Sequence, residues 1–395
     1  MKNEYNYDAI RPYLDEEVQE AFQRVTAEPE FRYVLEYLFP DRPVEEMICF
    51  LLSLRSVSDF QSKLIAPFVL DLTRKRTDEL NLSGLEKINP AEKYLFISNH
   101  RDIILDAALL NSLMVENGFE TSENAIGDNL CVKPWITELM KLNKNFIVQR
   151  NGTMRELFEA SKRLSSYIRR NIVEKRNSVW IAQREGRAKD SNDRTQESLL
   201  KMLSMSAGNN LKQSFIELNF MPISISYEYD ACDFLKAKEF QQKRDNPGYK
   251  KEKADDLLNM QTGLTEYKGR IHFEITEVIN EDLEKALNET DDRNTVLEKT
   301  AQIIDHKIHK NYRIFQGNYV ALDNLRNQTC FLGKMYSEED RKKFENYIEN
   351  QIEKIELLQK DVAFLRTKLT EMYANPLINH LNATEKGSCF YGGET

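Results

Sequence analysis

Short apolar runs alternate with stretches of helical periodicity between residues 94 and 275. The candidate strands are 94–98, 145–149, 179–183, 221–227 and 270–275, and helical stretches lie near 106–116, 134–142, 153–170 and 193–204. Strands that alternate with helices are typical of an α/β domain, in which helices cover the faces of a sheet. The predicted fold class is therefore α/β, a layered sheet flanked by helices, with a helical N-terminal region and a long C-terminal helix.

Residues 1–90 form the region that is predicted to be helical. Apolar residues recur there at helical spacing, among them Met47, Phe50, Leu51 and Leu54. Basic side chains flank this apolar material at Arg55, Lys63, Arg74, Lys75 and Arg76. An apolar helix face with basic flanks suits docking on an anionic membrane surface. It equally suits a helical lid packed on the core, so the sequence leaves both interpretations open.

The rest of the chain divides into a main domain, a helical C-terminal region and a tail. The main domain is predicted at 91–290, with 233–268 as an exposed insertion because its charges are mixed and large apolar residues are few. The helical C-terminal region, 291–375, includes one long helix predicted over 338–373. Its apolar positions follow steps of three and four residues, which fits a coiled coil with a second copy and equally fits packing on the domain. Residues 376–395 are predicted to be an unstructured tail.

Composition narrows the classes of function. A formal net charge of -9 argues against nucleic acid as a partner, because nucleic-acid binding usually needs a basic face. The five cysteines are far apart and form no Cys-x-x-Cys pair, so a reducing compartment is expected. The N-terminus lacks the pattern of a signal peptide, and no run of roughly 18 or more apolar residues occurs. A cytoplasmic location without a membrane span is therefore expected.

A candidate for acid–base chemistry stands at the end of the first strand of the main domain. The segment 95–106 passes from an apolar strand through a polar turn into a helix, and α/β folds place their sites at such strand ends. Of the five histidines, only His100 stands at such a strand end, and two carboxylates within six residues of it could hold its ring, Asp102 and Asp106. His100 is the candidate general base, and a surface histidine is the ordinary alternative.

Three further segments share an order and spacing with this one. Together the four resemble the ordered blocks of the glycerolipid acyltransferase family, the lysophosphatidate and glycerol-phosphate acyltransferases, over residues 94–227. The matching positions are Asn99 and His100 in the first block, Phe146, Ile147 and Arg150 in the second, Glu185, Gly186 and Arg187 in the third, and Pro222 in the fourth. The chain departs from the family pattern twice. Asp106 lies one residue further from His100, and the third block lacks the residue between Gly186 and Arg187.

The resemblance implies a glycerol-phosphate acyltransferase-like fold and an O-acyltransferase. Its reaction would move a fatty acyl group from acyl-CoA or acyl-carrier-protein to the hydroxyl of a lysophospholipid, a lysophosphatidate-type acceptor, in membrane lipid synthesis. His100 would act as the base beside a catalytic aspartate, for which Asp106 is preferred and Asp102 is the competitor. The positions implied in substrate binding are Asn99, Arg150, Glu185, Gly186 and Arg187. The sequence leaves two further roles open for Asn99, a helix N-cap, which is slightly preferred, and a side chain that holds the His100 loop.

The resemblance also implies partners and a location. No metal or organic cofactor is expected, because the acyl donor is itself a substrate. The partners would be the lipid acceptor, the inner face of a membrane, acyl-carrier-protein if it is the donor, and a second copy if the C-terminal helix dimerises. Glycerol 3-phosphate and a lyso-aminolipid with a free hydroxyl are alternative acceptors. A non-catalytic membrane-surface adaptor with a degenerate acyltransferase fold is the alternative from another class.

Other enzyme classes find little support in the sequence. His100, Arg101 and Asp102 spell the start of a kinase catalytic loop, but Ala107 stands where that loop needs a metal-binding asparagine. No glycine-rich nucleotide loop and no Asp-Phe-Gly occurs. A serine hydrolase is also disfavoured, because Gly-x-Ser-x-Gly is absent.

Overall fold

A mostly parallel sheet forms the centre of the computed structural model, which describes residues 5–384 except 209, 289 and 291. Within these residues the sheet has seven strands: β1 (Glu79–Ser83), β2 (Leu95–Ser98), β3 (Glu123–Gly127), β4 (Asn145–Val148), β5 (Val179–Ala182), β6 (Phe220–Tyr227) and β7 (Arg270–Ile275). Their order across the sheet is β1-β7-β6-β2-β5-β3-β4. Every neighbouring pair is parallel except β6 and β7.

Helices cover both faces of the sheet, and further helices precede and follow the strands in the sequence. Those before the sheet are α1 (Val18–Ala27), α2 (Pro29–Leu38), α3 (Val44–Ser53), α4 (Val57–Phe60) and α5 (Ala66–Arg74). Those among the strands are α6 (Leu105–Glu116), α7 (Pro134–Leu142), α8 (Met154–Val173), α9 (Glu197–Leu203), α10 (Leu211–Glu217), α11 (Asp233–Asp245) and α12 (Lys253–Thr265). Those after it are α13 (Asn280–Ala286), α14 (Arg293–Lys310), α15 (Gln316–Arg326), α16 (Glu338–Glu353) and α17 (Val362–Ala383).

The predicted fold class is confirmed, because the strands alternate with helices and both faces of the sheet are covered. The five predicted strands correspond to β2, β4, β5, β6 and β7. The prediction missed β1 and β3, whose sequences Glu-Leu-Asn-Leu-Ser and Glu-Asn-Ala-Ile-Gly lack a run of β-branched and aromatic residues. Since β1 pairs with β7 within the sheet, the prediction that all of 1–90 is helical was wrong at 79–83.

The two faces of the sheet bury separate apolar clusters. On one face, Leu95, Ile97 and Ile181 pack with residues of α8 and α14. On the other, Phe96 and Trp180 pack with residues of α5 and α6. Alternate residues of each strand therefore point to opposite layers, as the period of two in a β-strand requires. The prediction of a layered sheet describes this arrangement correctly.

The N-terminal helices turn their apolar residues inward. Met47, Ile48, Leu51 and Leu54 are buried in one cluster with residues of α1, α2 and α7. The flanking cations form surface ion pairs, including Lys63 with Asp59, Arg74 with Glu116 and Lys75 with Asp71. Of the two interpretations left open for this region, the structure agrees with helices packed on the core. The apolar face that could have docked on a membrane is itself buried in the core. No helix in the described part of the chain is long and apolar enough to cross a membrane.

The segment 233–268 was predicted to be an exposed insertion, and that prediction was wrong. It folds into α11 and α12, and Lys236 and Ala237 of α11 are fully buried. Ala237 belongs to the same apolar cluster as residues of α15, α16 and α17. The mixed charges misled the prediction because several of them are buried and paired, as Lys236 is with Asp230.

The C-terminal region is a bundle of helices packed on the domain. The helix predicted over 338–373 is interrupted at 354–361, between α16 and the long C-terminal helix α17. Ile348, Ile352, Leu365 and Leu369 are buried in one intramolecular cluster, so the spacing of three and four residues reflects packing within the chain. The predicted tail was wrong as far as Ala383, because α17 continues through Pro376, and residues 385–395 lie outside the described residues.

A buried carboxylate connects α11 to this bundle. The hydroxyls of Tyr347 in α16 and Tyr373 in α17 both donate to Oδ2 of Asp233, each at 2.6 Å. Burial raises the pKa of Asp233 from 3.8 to about 7, although the two tyrosine hydrogen bonds oppose the shift. The folded protein therefore binds the Asp233 proton more tightly than the unfolded chain does.

This raised pKa predicts a specific dependence of stability on pH. Below about pH 4 Asp233 is protonated in both the folded and the unfolded state. Between about pH 4 and 7 only the folded state keeps this proton, so the free energy of unfolding falls as the pH rises. Asp233→Asn keeps an acceptor oxygen without the charge and should flatten the decline. Urea unfolding from pH 4 to 8 measures it, and the exposed Asp41→Asn should keep the wild-type slope. An unchanged slope in Asp233→Asn would contradict the assignment.

Candidate active site

The sequence blocks converge because four neighbouring strands are parallel. Ser98 at the end of β2 is in register with Ala182 at the end of β5, and Gly127 of β3 is in register with Val148 of β4. The residues that follow these strands therefore emerge at one edge of the sheet. This edge brings together His100, Arg150 and the segment 184–187, which are far apart in the sequence.

The His100 side chain is held by Asp106. Nδ1 of His100 donates to Oδ2 of Asp106 at 2.7 Å, and the Asp106 side chain is completely buried. The same oxygen accepts the backbone N–H groups of Arg101 at 2.6 Å and Asp102 at 3.0 Å. The loop between His100 and α6 thus wraps around one carboxylate oxygen. The wrapped loop accommodates the additional residue by which the chain departs from the family spacing.

Asp102 has a different environment. Its Oδ1 accepts the backbone N–H groups of Ile104 at 2.9 Å and Leu105 at 2.8 Å, where α6 begins. A carboxylate in this position satisfies amide groups that have no partner within the helix and interacts favourably with the helix dipole. Geometry therefore assigns the contact with His100 to Asp106 and gives Asp102 the role of a helix-capping side chain.

Asn99 holds the loop and does not reach the substrate region. Its side-chain amide donates to the carbonyl of Ile225 at 2.8 Å, and its side-chain oxygen accepts the N–H of Ile225 at 2.8 Å. Asn99 is fully buried and lines neither cavity, and the N-cap of α6 is Ile104, so the structure agrees with the loop-holding role and not with the helix cap. Two hydrogen bonds to β6 instead fix the residue that precedes His100. Pro222, the fourth block, lies in β6 in register with Ile97.

His100 lies where two cavities meet. The first, termed the α6 cavity, has a volume of about 750 Å³ and runs along the face of α6 that carries Ala107, Ala108 and Asn111. The second, termed the α8 cavity, has a volume of about 410 Å³ and is lined by apolar residues of α8 and α9, including Leu157 and Met202. Volumes of this size are typical of sites for small ligands. The histidine can therefore meet two ligands that enter from different sides.

Trp180 forms part of the wall at this meeting point. It lines both cavities, and its ring meets the His100 ring edge-on with centroids 5.9 Å apart. Its indole N–H donates to the hydroxyl of Ser98 at 3.1 Å, which fixes the ring against β2. Sequence reasoning placed Trp180 only in a strand, because its proximity to His100 depends on the pairing of β5 with β2.

Three arginines surround the meeting point, and one of them was missed. Arg150 and Arg184 line both cavities, and among the described residues neither forms a hydrogen bond or an ion pair. Arg187 lines only the α6 cavity, and its guanidinium donates to the side-chain oxygen of Asn259 at 2.9 Å. Arg184 therefore lies closer to both ligand spaces than the predicted Arg187. The missing residue of the third block was the signal that could have pointed to it.

Glu185 and Gly186 form the turn between these arginines. Both line the two cavities, and Glu185 is exposed while its backbone N–H donates to Gln196 at 2.7 Å. Gly186 has a φ of +68°, a conformation that favours glycine, and open space surrounds the position of an added Cβ. The structure thus brings both predicted residues to the site and gives Gly186 a conformational role in the turn.

A buried ion pair that the sequence did not predict supports the loop that carries His100. Arg101, next to His100, pairs with the buried Asp193 at 2.7 Å, and Asp193 also accepts the Tyr312 hydroxyl at 2.8 Å. Lys236 of α11 is buried as well and donates to the carbonyl of Arg101 at 3.2 Å. The loop is therefore anchored to Lys236 of α11 and, through Asp193, to Tyr312, which lies shortly after α14. These residues lie outside the four blocks.

No group of three or more His, Cys, Asp and Glu side chains with the arrangement of a metal site occurs in the described ranges. His309, one of the histidines that the sequence leaves without a role, donates its Nε2 proton to the carbonyl of Asp193 at 2.9 Å. Burial lowers the pKa of His309 to about 4, so the ring is neutral near pH 7. It belongs to the support behind the loop.

Comparison with known proteins confirms the family resemblance. Residues 79–226 match the family model described as Acyltransferase, a span that includes His100, Asp106, Arg150 and 184–187. A search of the curated proteins found no match. Among solved structures, the chain is similar to the 1-acyl-sn-glycerophosphate (LPA) acyltransferase PlsC from Thermotoga maritima, with 11% identity and a TM-score of 0.35 over 73% of this chain and 91% of that one. Over residues 79–226 the chain is therefore similar to acyltransferase domains.

The two carboxylates near His100 predict different effects of substitution. Asp106→Asn replaces the charged partner of the ring and should lower the rate of acyl transfer by about 10²- to 10⁴-fold. Asp102→Asn keeps an oxygen that can accept the two amides at the start of α6, so the rate should fall less than about tenfold. The measurement is the single-turnover rate of both variants, with circular dichroism to verify folding. A larger loss in Asp102→Asn would reverse the assignment.

Proposed function

We propose that this chain transfers a fatty acyl group from acyl-CoA or acyl-carrier-protein to the hydroxyl of a lysophospholipid, with a lysophosphatidate-type acceptor. The observation that carries the proposal is the hydrogen bond between Nδ1 of His100 and Asp106, at the point where two cavities meet. With Nδ1 engaged, Nε2 is the nitrogen left to contact a substrate. A neutral imidazole held in this tautomer is suited to accept a proton from a hydroxyl.

The reaction needs no covalent enzyme intermediate. Nε2 of His100 accepts the hydroxyl proton while the acceptor oxygen attacks the thioester carbonyl, and the buried Asp106 carboxylate stabilises the imidazolium that forms. The tetrahedral intermediate then collapses, the carbon–sulfur bond breaks, and the imidazolium returns the proton to the leaving thiolate. The products are an ester and a free thiol. His100 is thus neutral again after each cycle.

The positive charge of the arginines around the meeting point favours a substrate that carries an anionic group. Arg150 and Arg184 line both cavities, and within the described residues neither guanidinium forms a hydrogen bond or a close ion pair. A guanidinium suits a phosphate because its planar donors match two phosphate oxygens. Lysophosphatidate and glycerol 3-phosphate both offer such a group, whereas a lyso-aminolipid would use the same histidine with a different head group. The thioester donors also contain phosphate.

The alternative of a non-catalytic adaptor requires a site that no longer supports chemistry. Against it stand the His100–Asp106 hydrogen bond and the open space on both sides of His100. The C-terminal helices, which an adaptor could use to recruit partners, bury their apolar positions within the chain. These observations favour the enzyme.

The proposed location is the cytoplasmic side of a membrane, where a lysolipid acceptor resides. Exposed apolar and aromatic side chains could contact a lipid surface, notably Tyr33 (73% exposed) and Tyr37 (79%) on α2 and Met154 (87%) on α8. Tyr33 and Tyr37 are four residues apart and share a face of α2. Tyrosine is favoured at the boundary between lipid and water. The face of α2 that carries Tyr33 and Tyr37 therefore replaces the buried apolar residues Met47, Leu51 and Leu54 as the proposed docking region.

Loss of the general base should abolish the reaction. Purified protein with a long-chain acyl-CoA or acyl-carrier-protein should release thiol only when a lysolipid or glycerol-phosphate acceptor is present. His100→Ala should lower this release by about 10³-fold or more while the fold remains intact. The exposed His306→Ala is the matched control and should retain the wild-type rate. Full activity in His100→Ala would overturn the mechanism, and no release with any pair would favour the adaptor.

Membrane docking predicts co-sedimentation with anionic vesicles. The double variant Tyr33→Ser/Tyr37→Ser should lower the bound fraction about threefold or more, because it removes the aromatic anchors, and added salt should weaken the binding. Leu358→Ser removes an equally exposed apolar side chain between α16 and α17 and should leave binding unchanged. Absence of binding to any vesicle would contradict the proposed location.

A further inference from the structure

The α6 cavity changes its chemistry with distance from His100. The face of α6 that lines it carries Ala107 and Ala108 in the turn near His100, followed by Asn111 and Ser112 in the next turn. A rise of about 1.5 Å per residue places Asn111 roughly 6 Å beyond Ala107 along the helix axis. A ligand extending from His100 along α6 therefore passes small apolar side chains first and then meets polar ones.

The polar part of the cavity is a wall of side-chain amides and hydroxyls. The Asn111 amide donates to the side-chain oxygen of Asn124 at 3.3 Å. Thr121 donates its hydroxyl proton to Gln61 at 2.7 Å, and Gln61 in turn donates to the side-chain oxygen of Asn143 at 3.2 Å. Three elements and two loops contribute to this wall, which is termed the amide wall and consists of Gln61, Asn111, Ser112, Thr121, Asn124 and Asn143.

Part of the hydrogen-bonding capacity of the amide wall is unused by the protein. Asn143 accepts from Gln61, but its own NH₂ group has no acceptor among the described residues, and it lines the cavity. The Ser112 hydroxyl likewise lines the cavity and lacks a partner within the described ranges. Gln61 uses one of its two amide hydrogens. Donors of this kind need water or a ligand oxygen, because a hydrocarbon chain against them would leave them without partners.

The wall carries no formal charge, in contrast to the other end of the cavity. The cations Arg150, Arg184 and Lys251 line the same cavity, but the six residues of the amide wall are all neutral. An ionised ligand group has its partners near His100 and the arginines. A neutral oxygen, in a hydroxyl or a carbonyl, matches the amide wall.

We infer that the amide wall binds a hydroxyl or carbonyl oxygen carried on a lipid chain, and that it selects substrates that are oxygenated along the chain. This inference rests on the proposed acyl transfer and specifies its substrate class. The oxygen has two sources that share this chemistry: the acyl chain of the thioester donor, or the acyl chain that the acceptor already carries. The wall distinguishes either one from the plain hydrocarbon chain of the same length.

The test is a competition between matched substrates with wild-type protein. One arm offers palmitoyl thioester and the same thioester with a hydroxyl in the middle of its chain, both with a plain lysolipid acceptor. The other arm offers palmitoyl thioester with two acceptors that differ only by a hydroxyl on their chain. The oxygenated member should be preferred by about fivefold or more in kcat/KM in one of the two arms, which identifies the source. Equal rates in both arms, from an enzyme active on the plain substrates, overturn the inference and leave the proposed function standing.

Two variants connect the preference to the wall. Ser112→Ala and Asn143→Leu should each bring the ratio of the two rates towards one, because each removes an unused donor. Asn117→Leu, at the end of α6 and outside the cavity, is the matched control and should keep the wild-type ratio. Circular dichroism verifies that each variant is folded. If Asn143→Leu does not fold, the result for Ser112→Ala, which is the smaller change, is used alone. If a folded Ser112→Ala keeps the wild-type ratio of the two rates, the inference is overturned. If the wild-type protein turns over none of the substrates, both the inference and the proposed function are overturned.

Discussion

The Asp106 carboxylate is completely buried, and a buried carboxylate is tolerated only where donors are held around it. Here one oxygen collects three donors: Nδ1 of His100 and the backbone N–H groups of Arg101 and Asp102. Satisfying this oxygen sets the path of the loop and the tautomer of the histidine together. The orientation of Nε2 towards the two cavities follows from that constraint, and the chemistry depends on it.

The loop is also anchored from behind, which ties the site to parts of the chain outside the four blocks. Arg101 reaches the buried Asp193, and Lys236 of α11 holds the carbonyl of Arg101. α11 in turn is connected to α16 and α17 through Asp233 and its two tyrosine partners. Buried ion pairs contribute little net stability but are costly to break on one side, so this network favours a single position of the loop. The C-terminal helices are thus packed into the same network as the His100 loop, although they lie outside the matched family segment.

The two departures from the family pattern have separate structural outcomes. The extra residue before Asp106 is absorbed in the loop, and the hydrogen bond to His100 is kept at 2.7 Å. Beside the missing residue in the third block, Arg187 donates to Asn259 of α12, while Arg184 lines both cavities. The first departure is therefore compatible with the proposed chemistry, and at the second departure both Arg184 and Arg187 line the α6 cavity.

The sequence by itself determined the alternation of strands and helices, five of the seven described strands, and His100 with its two candidate carboxylates, because periodicity and strand-end motifs are local properties. It did not reveal β3, which is too polar to resemble a strand, and it misjudged 233–268 because paired buried charges look like a solvated surface in a sequence. Only the tertiary structure decided between Asp102 and Asp106, turned Asn99 towards Ile225 and brought Arg184 and Trp180 to His100. Each of these depends on distances across parallel strands and around a buried carboxylate, and distances between residues remote in the sequence are set by packing.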